Sequence, residues 1–468
     1  MADDAIACLR CGRCSDHCPA GLQPVRIAMA VNAGDAKEME KRGALQCIEC
    51  GLCTYVCPSH IDVTENVRKA KRTVMLKRSK RGQAMKFNFH VSPSLKGSLT
   101  TQKIMLELTV GLMILFLLSC FYNGTTYGAD YVLHEVLLLV SSLVTMFLCE
   151  SIFAKIYKEN PITYMKKSFG WVTSIILTLM VPITMTVYAL IIATIFAIVF
   201  GKLLFGGFGQ NIFNPAGVGR AVIFAAFTSA AATGITTGAT PTAYLANTFN
   251  WLPASAEALD SFLSQYGGFA NLALGFYDGA LGETFTLAIV LIGIWFCVRK
   301  IIDWRVPVVY LGTIFILTAV VAVLSGIDSY HGIPAFIWYP LLHMVTGGIV
   351  FGAVFMLTDP VTSPTSAQGR VIFALGAAVI TVLLRLKANL PEGCLYSILL
   401  MNMFTPMIES SLDGVQLVVK KKAYIMAGCL AILGLAVSFY AATSVEPVTT
   451  AATEKTAMME TVRMEETL

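Results

Sequence analysis

Eight of the chain's 13 cysteines stand in two copies of one pattern. The first is CLRCGRCSDHCP, carrying Cys8, Cys11, Cys14 and Cys18 before Pro19; the second is CIECGLCTYVCP, carrying Cys47, Cys50, Cys53 and Cys57 before Pro58. Three closely spaced thiolates can wrap three irons of a cube, while the proline turns the fourth cysteine across to the partner cube. The spacing therefore predicts one [4Fe–4S] cluster on Cys8, Cys11, Cys14 and Cys57, and a second on Cys47, Cys50, Cys53 and Cys18. Structural zinc would favour two separated pairs over two quartets ended by proline. A reducing cytoplasm disfavours disulfides. The other five, Cys120, Cys149, Cys297, Cys394 and Cys429, stand singly in apolar runs and read as small buried hydrophobes.

A second stretch with chemical potential is TGITTGATPTAYL, Thr233 to Leu245, a hydroxyl-bearing loop in a segment, Ala221 to Val298, without a single Lys or Arg. Its threonines are weak nucleophiles unaided, so a covalent group there would have to be attached by a separate enzyme. Two acidic residues in apolar surroundings, Asp359 of LTDP and Glu283 of LGE, are candidates for an ion path, because ionisable groups in membrane spans are costly and often functional. Glu283 also suits a helix start, where a carboxylate meets the positive dipole end. His134 and Glu135 share an apolar run without an assigned role.

The elements that must position these groups are membrane helices. The chain is 56% hydrophobic and 13% charged, and apolar runs long enough for a hydrocarbon core of roughly 30 Å fill most of it from Ile104 to Tyr440. The class is a polytopic α-helical membrane protein of about ten or eleven spans, preceded by an α-helical two-cluster ferredoxin domain. The basic run from Arg68 to Lys86 sits directly before the first span and reads as a cytoplasmic juxtamembrane segment, not a nucleic-acid site. No cleavable signal pattern is visible in MADDAIACLRCGRC, so the cluster head is expected in the cytoplasm. The positive-inside rule then turns the hydroxyl-bearing loop outward. Lys202 is read as a return to the inside, and Pro182 as the corner of a hairpin between two spans. The glycine-rich GGFGQNIFNPAGVGR implies irregular backbone at membrane depth, with Asn214-Pro215 opening a helix. NPAGVGRAVIFA is echoed by SPTSAQGRVIFA, a hint of an internal repeat with broken helices. Domain boundaries are expected at 1–85 for the head, 86–102 for a basic linker, 103–412 for the membrane domain, and 413–468 for an extra span and a disordered outer tail.

Two resemblances add to this reading. The cysteine quartets, with CIECGLCTYVCPSHI, are similar to the cluster domain of the RnfC subunit over about Cys8 to Ile61; no nucleotide-binding site comes with that match. From about residue 88 to 412, GGFGQNIFNPAGVGRA, TTGAT, GALGETFTLAIVLIG, IIDWRVPV, TDPVTSPTSAQG and NLPEGCLYSILLMNMFTPMIE occur in the order that resembles RnfD and the B subunit of the sodium-pumping NADH:quinone reductase. The resemblance implies FMN bound through a phosphoester to Thr240, the last threonine of TGAT. Gly238 gives the loop room, and Thr237 and Thr236 are rival attachment points. It also implies a non-covalent riboflavin near Asn211 and Asn214, although Asn214 equally suits a helix cap, and an ion-path role for Asp359. Ser92-Pro93-Ser94 stands where RnfD tends to show SPH, and residues 422–468 extend past the resemblance.

The implied protein is an inner-membrane, electron-carrying subunit of a complex that moves electrons between ferredoxin and NAD(H) and couples them to Na⁺ or H⁺ transport. Its partners would be other Rnf-type subunits (C, G, E, A and B), a flavin transferase and the lipid bilayer. A membrane NADH:quinone oxidoreductase subunit and a solute transporter with a sensory ferredoxin head are the alternatives.

Overall fold

A computed structural model describes residues 7–79, 100–227, 237–253, 255–388, 393–414, 416–445 and 448. The end of the basic run, Ser92-Pro93-Ser94, Thr236 with the start of the hydroxyl-bearing loop, and nearly all of the tail lie outside these residues.

The head is two copies of one unit. Helix α1 (Arg13–Asp16) opens the first, followed by α2 (Pro24–Asn32) and α3 (Ala36–Lys41); α4 (Leu52–Tyr55) opens the second, followed by α5 (Val63–Ser79). The copies match position by position, Cys8 with Cys47 and Gly12 with Gly51. Their backbones match too: Arg10 and Glu49 at φ 54° and 59°, Gly12 and Gly51 at 70° and 80°, Gly21 and His60 at 62° and 54°. Left-handed backbone recurring at paired positions lets each cysteine loop curl back on itself. Asp35 caps α3 by accepting from the N–H groups of Lys37 and Glu38. The copies enclose a core of Leu22, Val25, Ile27, Val67 and Val74, each such side chain worth about 1.5–3 kcal/mol when taken from water.

The membrane part opens with α6 (Thr101–Thr126) and α7 (Ala129–Ile156), then α8 (Pro161–Ser168), α9 (Gly170–Leu179) and α10 (Val187–Ile195), which runs on as a π-turn over Phe196–Phe200. After an irregular stretch come α11 (Pro215–Ala226), α12 (Pro241–Phe249), α13 (Ala256–Tyr266) and α14 (Gly268–Leu274). Next are α15 (Thr286–Val298), α16 (Arg305–Leu324), α17 (Ala335–Val345) and α18 (Ile349–Phe351), the last continuing as a π-turn over Gly352–Met356. The chain closes with α19 (Ala367–Lys387), α20 (Gly393–Ser411) and α21 (Gln416–Ser444). Among the described residues there is no strand, only isolated bridges such as Pro182 with Ala280.

Among the described residues six helices are individually long and apolar enough to cross a membrane, or seven if α17 and the helix after it, bent by 74°, form one crossing. The expectation of about ten or eleven full crossings counted Gly170–Leu179, Pro215–Ala226 and Thr286–Val298 as spans; these are short apolar helices. Each adjoins non-helical chain, such as 180–186, where the Leu281 N–H bonds the Val181 carbonyl and the Gly282 N–H the Leu179 carbonyl. Irregular backbone survives in such a place because protein partners satisfy it. Apolar side chains on the outer faces of α6, α7 and α21, among them Leu117, Leu133 and Ile432, are exposed as lipid contact requires. Inside, close approach replaces the hydrophobic drive. A Cβ on Gly111 would stand 2.5 Å from the Phe296 ring.

The two π-turns occupy matching places. Each is followed by an irregular stretch and a helix with an early Gly-Arg pair, Gly219-Arg220 in α11 and Gly369-Arg370 in α19. The echo in the sequence is thus an echo in the backbone.

Candidate functional site

The cysteines line two cavities. One, of about 620 Å³, is walled by Cys8, Cys11, Cys14 and Cys57; the other, of about 380 Å³, by Cys18, Cys47, Cys50 and Cys53. Each holds three cysteines of one loop and the fourth of the other, the exchange expected from the spacing. Short helices α1 and α4 place Cys14 and Cys53. Among the described residues no three His, Cys, Asp or Glu side chains close on a single ion position; thiols around a cube of four irons stand farther apart than the ligands of one ion. Burial pushes the Cys14 thiol well up and that of Cys57 to about 11. A bound iron–sulfur cluster would supply the positive charge that favours these groups as thiolates.

The first cysteine loop is plugged into the membrane domain. Leu9 packs into the membrane core with Cys11 beside it. The buried Arg370 guanidinium donates to the Cys11 carbonyl at 2.5 Å and to the Pro364 carbonyl at 3.1 Å, and pairs with Asp303. Arg13 donates to the Lys300 carbonyl, and Asp16 pairs with Arg305 at 3.4 Å. Farther along the head, Arg26 reaches Glu409 at 2.7 Å and Asp413 at 3.3 Å, while Arg42 reaches Asp413 at 3.0 Å.

Beside this plug lies a cavity of about 800 Å³ whose walls include Phe169, Lys202, Phe208, Asn211, Asn214 and Asp359. It brings three residues singled out in the sequence into one place. Asn214 accepts from the Ala216 and Gly217 N–H groups, capping α11, and donates to the Met356 carbonyl at 3.3 Å. Asn211 donates to the Phe213 carbonyl at 3.2 Å. Asp359 accepts from the Val361 N–H and the Thr362 hydroxyl, each at 3.2 Å. Gly209, between the lining residues Phe208 and Asn211, meets the cluster head: a Cβ there would stand 2.8 Å from the Cys8 carbonyl. Lys202 is a correction. Read as a charge marking a turn, it is buried, donating to the Ser168 carbonyl at 2.6 Å and to Glu150 at 3.2 Å. Glu150 was missed in the sequence, although its place in the apolar run FLCESIF was the available signal.

Glu283 is not joined to Asp359. It lines a different cavity, of about 340 Å³, with Arg385 and Cys394 at the break after α17. Arg385 donates to the carbonyls of His343 and Thr346, which the break leaves without helical partners. Gly348 lets the Glu283 side chain come close, since a Cβ there would lie 2.5 Å from a Glu283 oxygen and displace it. Glu135, buried in α7, accepts from Asn123 at 2.9 Å, and His134 bonds the Met185 carbonyl at 3.0 Å.

The described part of the hydroxyl-bearing loop, from Thr237, ends on Thr240, the N-cap of α12. The Thr240 hydroxyl accepts from the Ala243 N–H at 3.2 Å and is half-buried, whereas Gly238 and Ala239 are exposed. Asp278, unnoticed in the sequence, organises the surroundings by accepting from the Gly238 N–H at 2.7 Å, Tyr127 at 2.6 Å and Tyr122 at 3.2 Å. Tyr266 holds the Ala239 carbonyl at 2.9 Å. Head and loop lie at opposite ends of α6: Thr101 bonds Ser59 and Pro58 of the head, while Tyr122 and Tyr127 reach Asp278. Its 26 residues span about 39 Å at 1.5 Å per residue.

Comparison with known proteins agrees with this division. Residues 88–416 match the NQR2, RnfD, RnfE family, and residues 7–62 match a 4Fe-4S dicluster domain. The D subunit of the proton-translocating ferredoxin:NAD(+) oxidoreductase complex of Clostridium ljungdahlii is 33% identical over 69% of this chain and 93% of its own length. Its Na(+)-translocating counterpart from Acetobacterium woodii is 35% identical over 68% of this chain and 91% of its own. The B subunit of the Na(+)-translocating NADH-quinone reductase of Chromohalobacter salexigens is 34% identical over 51% of this chain and 57% of its own. With the broken helices, the capped threonine and the cysteine-lined head in place, this multi-pass chain belongs to the NQR2, RnfD, RnfE family, carrying a 4Fe-4S dicluster domain ahead of the family domain.

Proposed function

We propose that the chain is the electron-carrying membrane subunit of an ion-translocating ferredoxin:NAD⁺ oxidoreductase complex of the Rnf type. It sits in the inner membrane with the head in the cytoplasm and the Thr240 loop outside. Two [4Fe–4S] clusters occupy the cysteine cavities, Cys8, Cys11, Cys14 and Cys57 holding one and Cys18, Cys47, Cys50 and Cys53 the other. FMN is esterified to Thr240, and riboflavin sits in the cavity beside Asn211 and Asn214. These groups supply the electron-transfer chemistry; the protein fixes their order.

The observation that carries this reading is the seat of the first cysteine loop on the membrane domain, with Cys11 at Arg370 and Cys8 at Gly209, the latter between the cavity-lining Phe208 and Asn211. The residues fit the groups. Phe169 and Phe208 supply aromatic walls, and Asn211 and Asn214 bring amides to the edge of an isoalloxazine. At the far end Thr240 offers its oxygen at a helix N-terminus, where a phosphate is favoured, and the Asp278 charge is already taken up by three donors. Asp359 at the larger cavity and Glu283 at the break are the proposed ion-path carboxylates. Other subunits of the complex, with ferredoxin and NAD(H) reached through them, are the partners; a flavin transferase loads Thr240.

Two measurements on the purified complex test this. Thr240→Val removes flavin fluorescence from the chain on a denaturing gel, and the wild type shows ferredoxin:NAD⁺ rather than quinone reductase activity. Fluorescence unchanged in the variant would move the bond to Thr236 or Thr237, and quinone reductase activity alone would assign the chain to the other branch of its family.

A further inference from the structure

The two cysteine loops are the same device in different surroundings. Leu9 and Ile48 are matched positions, yet Leu9 is 2% exposed and Ile48 65%. Cys11 packs against the membrane core, while its counterpart Cys50 is exposed. A Cβ on Gly12 would strike Arg370 and Thr365, whereas nothing lies within 4 Å of one on Gly51. The flanks differ in kind. Where the first copy has Arg13 and Asp16, bonded to Lys300 and Arg305, the second has Leu52 and Tyr55, 40% and 47% exposed.

We propose that the second loop, with Ile48, Leu52 and Tyr55 around Cys50, is the docking surface for a permanently bound redox subunit, whose apolar socket receives Ile48 as the membrane core receives Leu9. The proposal rests on the reading that the head carries two clusters in relay.

Three observations fix the partner's chemistry. The seated first loop shows what such a loop needs: an apolar socket for the residue after the first cysteine and a donor for the carbonyl of the second. Three large apolar side chains around one exposed cysteine make a patch suited to the water-free centre of a lasting interface. The one acidic residue inside the loop is paired within the head: Glu49 is held by Lys71 at 2.9 Å and Arg68 at 3.2 Å, and Arg68 also pairs with Glu65 at 3.5 Å. Each exchange at this surface passes one electron between the cluster and the partner's cofactor, with no proton transferred and no bond changed.

The experiment uses the intact purified complex. Clusters are reduced through the complex's ferredoxin-side entry, and their reoxidation by NAD⁺ is followed by stopped-flow absorbance in wild type, Ile48→Asp and Tyr55→Ser. Low-temperature EPR is recorded on each. The expected result is two cluster signals in every protein, with reoxidation at least tenfold slower in Ile48→Asp, several-fold slower in Tyr55→Ser, and little affected by 0.5 M KCl in wild type. Wild-type reoxidation rates in both variants, with both cluster signals present, would overturn the proposal. So would loss of wild-type transfer in high salt, which marks a charged, diffusing carrier. Absence of cluster signals from the wild type would instead refute the reading of the head, leaving the two failures distinct.

Discussion

The guanidinium of Arg370 donates to the main-chain carbonyl of Cys11 at 2.5 Å. A residue early in a membrane helix thereby holds the loop of a domain more than three hundred positions away. Gly12 makes this possible, since any Cβ there would occupy the space of the guanidinium.

A matched pair of variants follows from the head's internal repeat. Gly12→Ala and Gly51→Ala both place a Cβ on left-handed backbone, which costs about 1–2 kcal/mol. Only Gly12→Ala also collides with Arg370. Limited proteolysis of the purified protein is expected to release the head from Gly12→Ala and leave Gly51→Ala as intact as wild type.

The latch at the other side of the head behaves differently. Asp413 takes both Arg26 and Arg42, and its side chain is largely buried. Asp413→Asn removes the carboxylate the two guanidiniums share, leaving Arg26 to Glu409 and Arg42 to Glu38 within its own helix region. Protection of the α2 amides from hydrogen exchange is expected to fall by roughly tenfold or more, since breaking a buried pair costs about 3–5 kcal/mol at full burial.

The Glu150–Lys202 pair gives a double-mutant test. Lys202→Met strands a buried carboxylate and is expected to lower the melting temperature strongly, the loss being about 3–5 kcal/mol. Glu150→Gln combined with Lys202→Met removes both charges and should regain most of it. Additive losses in thermal unfolding would show that the two side chains do not act as a pair.

At the broken helix, Arg385→Ala leaves the His343 and Thr346 carbonyls without their donor, at about 1–3 kcal/mol for each buried group. The guanidinium also stands 4.7 Å over the Trp251 ring. A shift in tryptophan fluorescence and a lowered melting temperature are the expected outcomes.

How much of this was legible in the sequence depended on range. The cysteine quartets were readable because a cluster loop is a local object, set by spacing within a dozen residues. The irregular backbone at GGFGQNIFNPAG was readable because Gly and Pro restrict their own dihedrals. Asp278, Glu150 and Arg370 were not, because their partners lie far off in the chain: Gly238 and Tyr127 for the first, Lys202 for the second, Cys11 for the third. The span count exceeds the number of long helices for a related reason. Hydropathy reports how much apolar chain there is, but a ten-residue helix joined to satisfied extended backbone reads the same as part of a full crossing.

The central claim is that the cysteine-lined head and the threonine-bearing loop occupy opposite faces of one membrane. Labelling with a membrane-impermeant maleimide in right-side-out cells tests it, using Gly238→Cys and Lys37→Cys introduced separately. The account predicts that Gly238→Cys is labelled from outside and Lys37→Cys only after the membrane is opened. Labelling of both positions from the same side in sealed cells would contradict it.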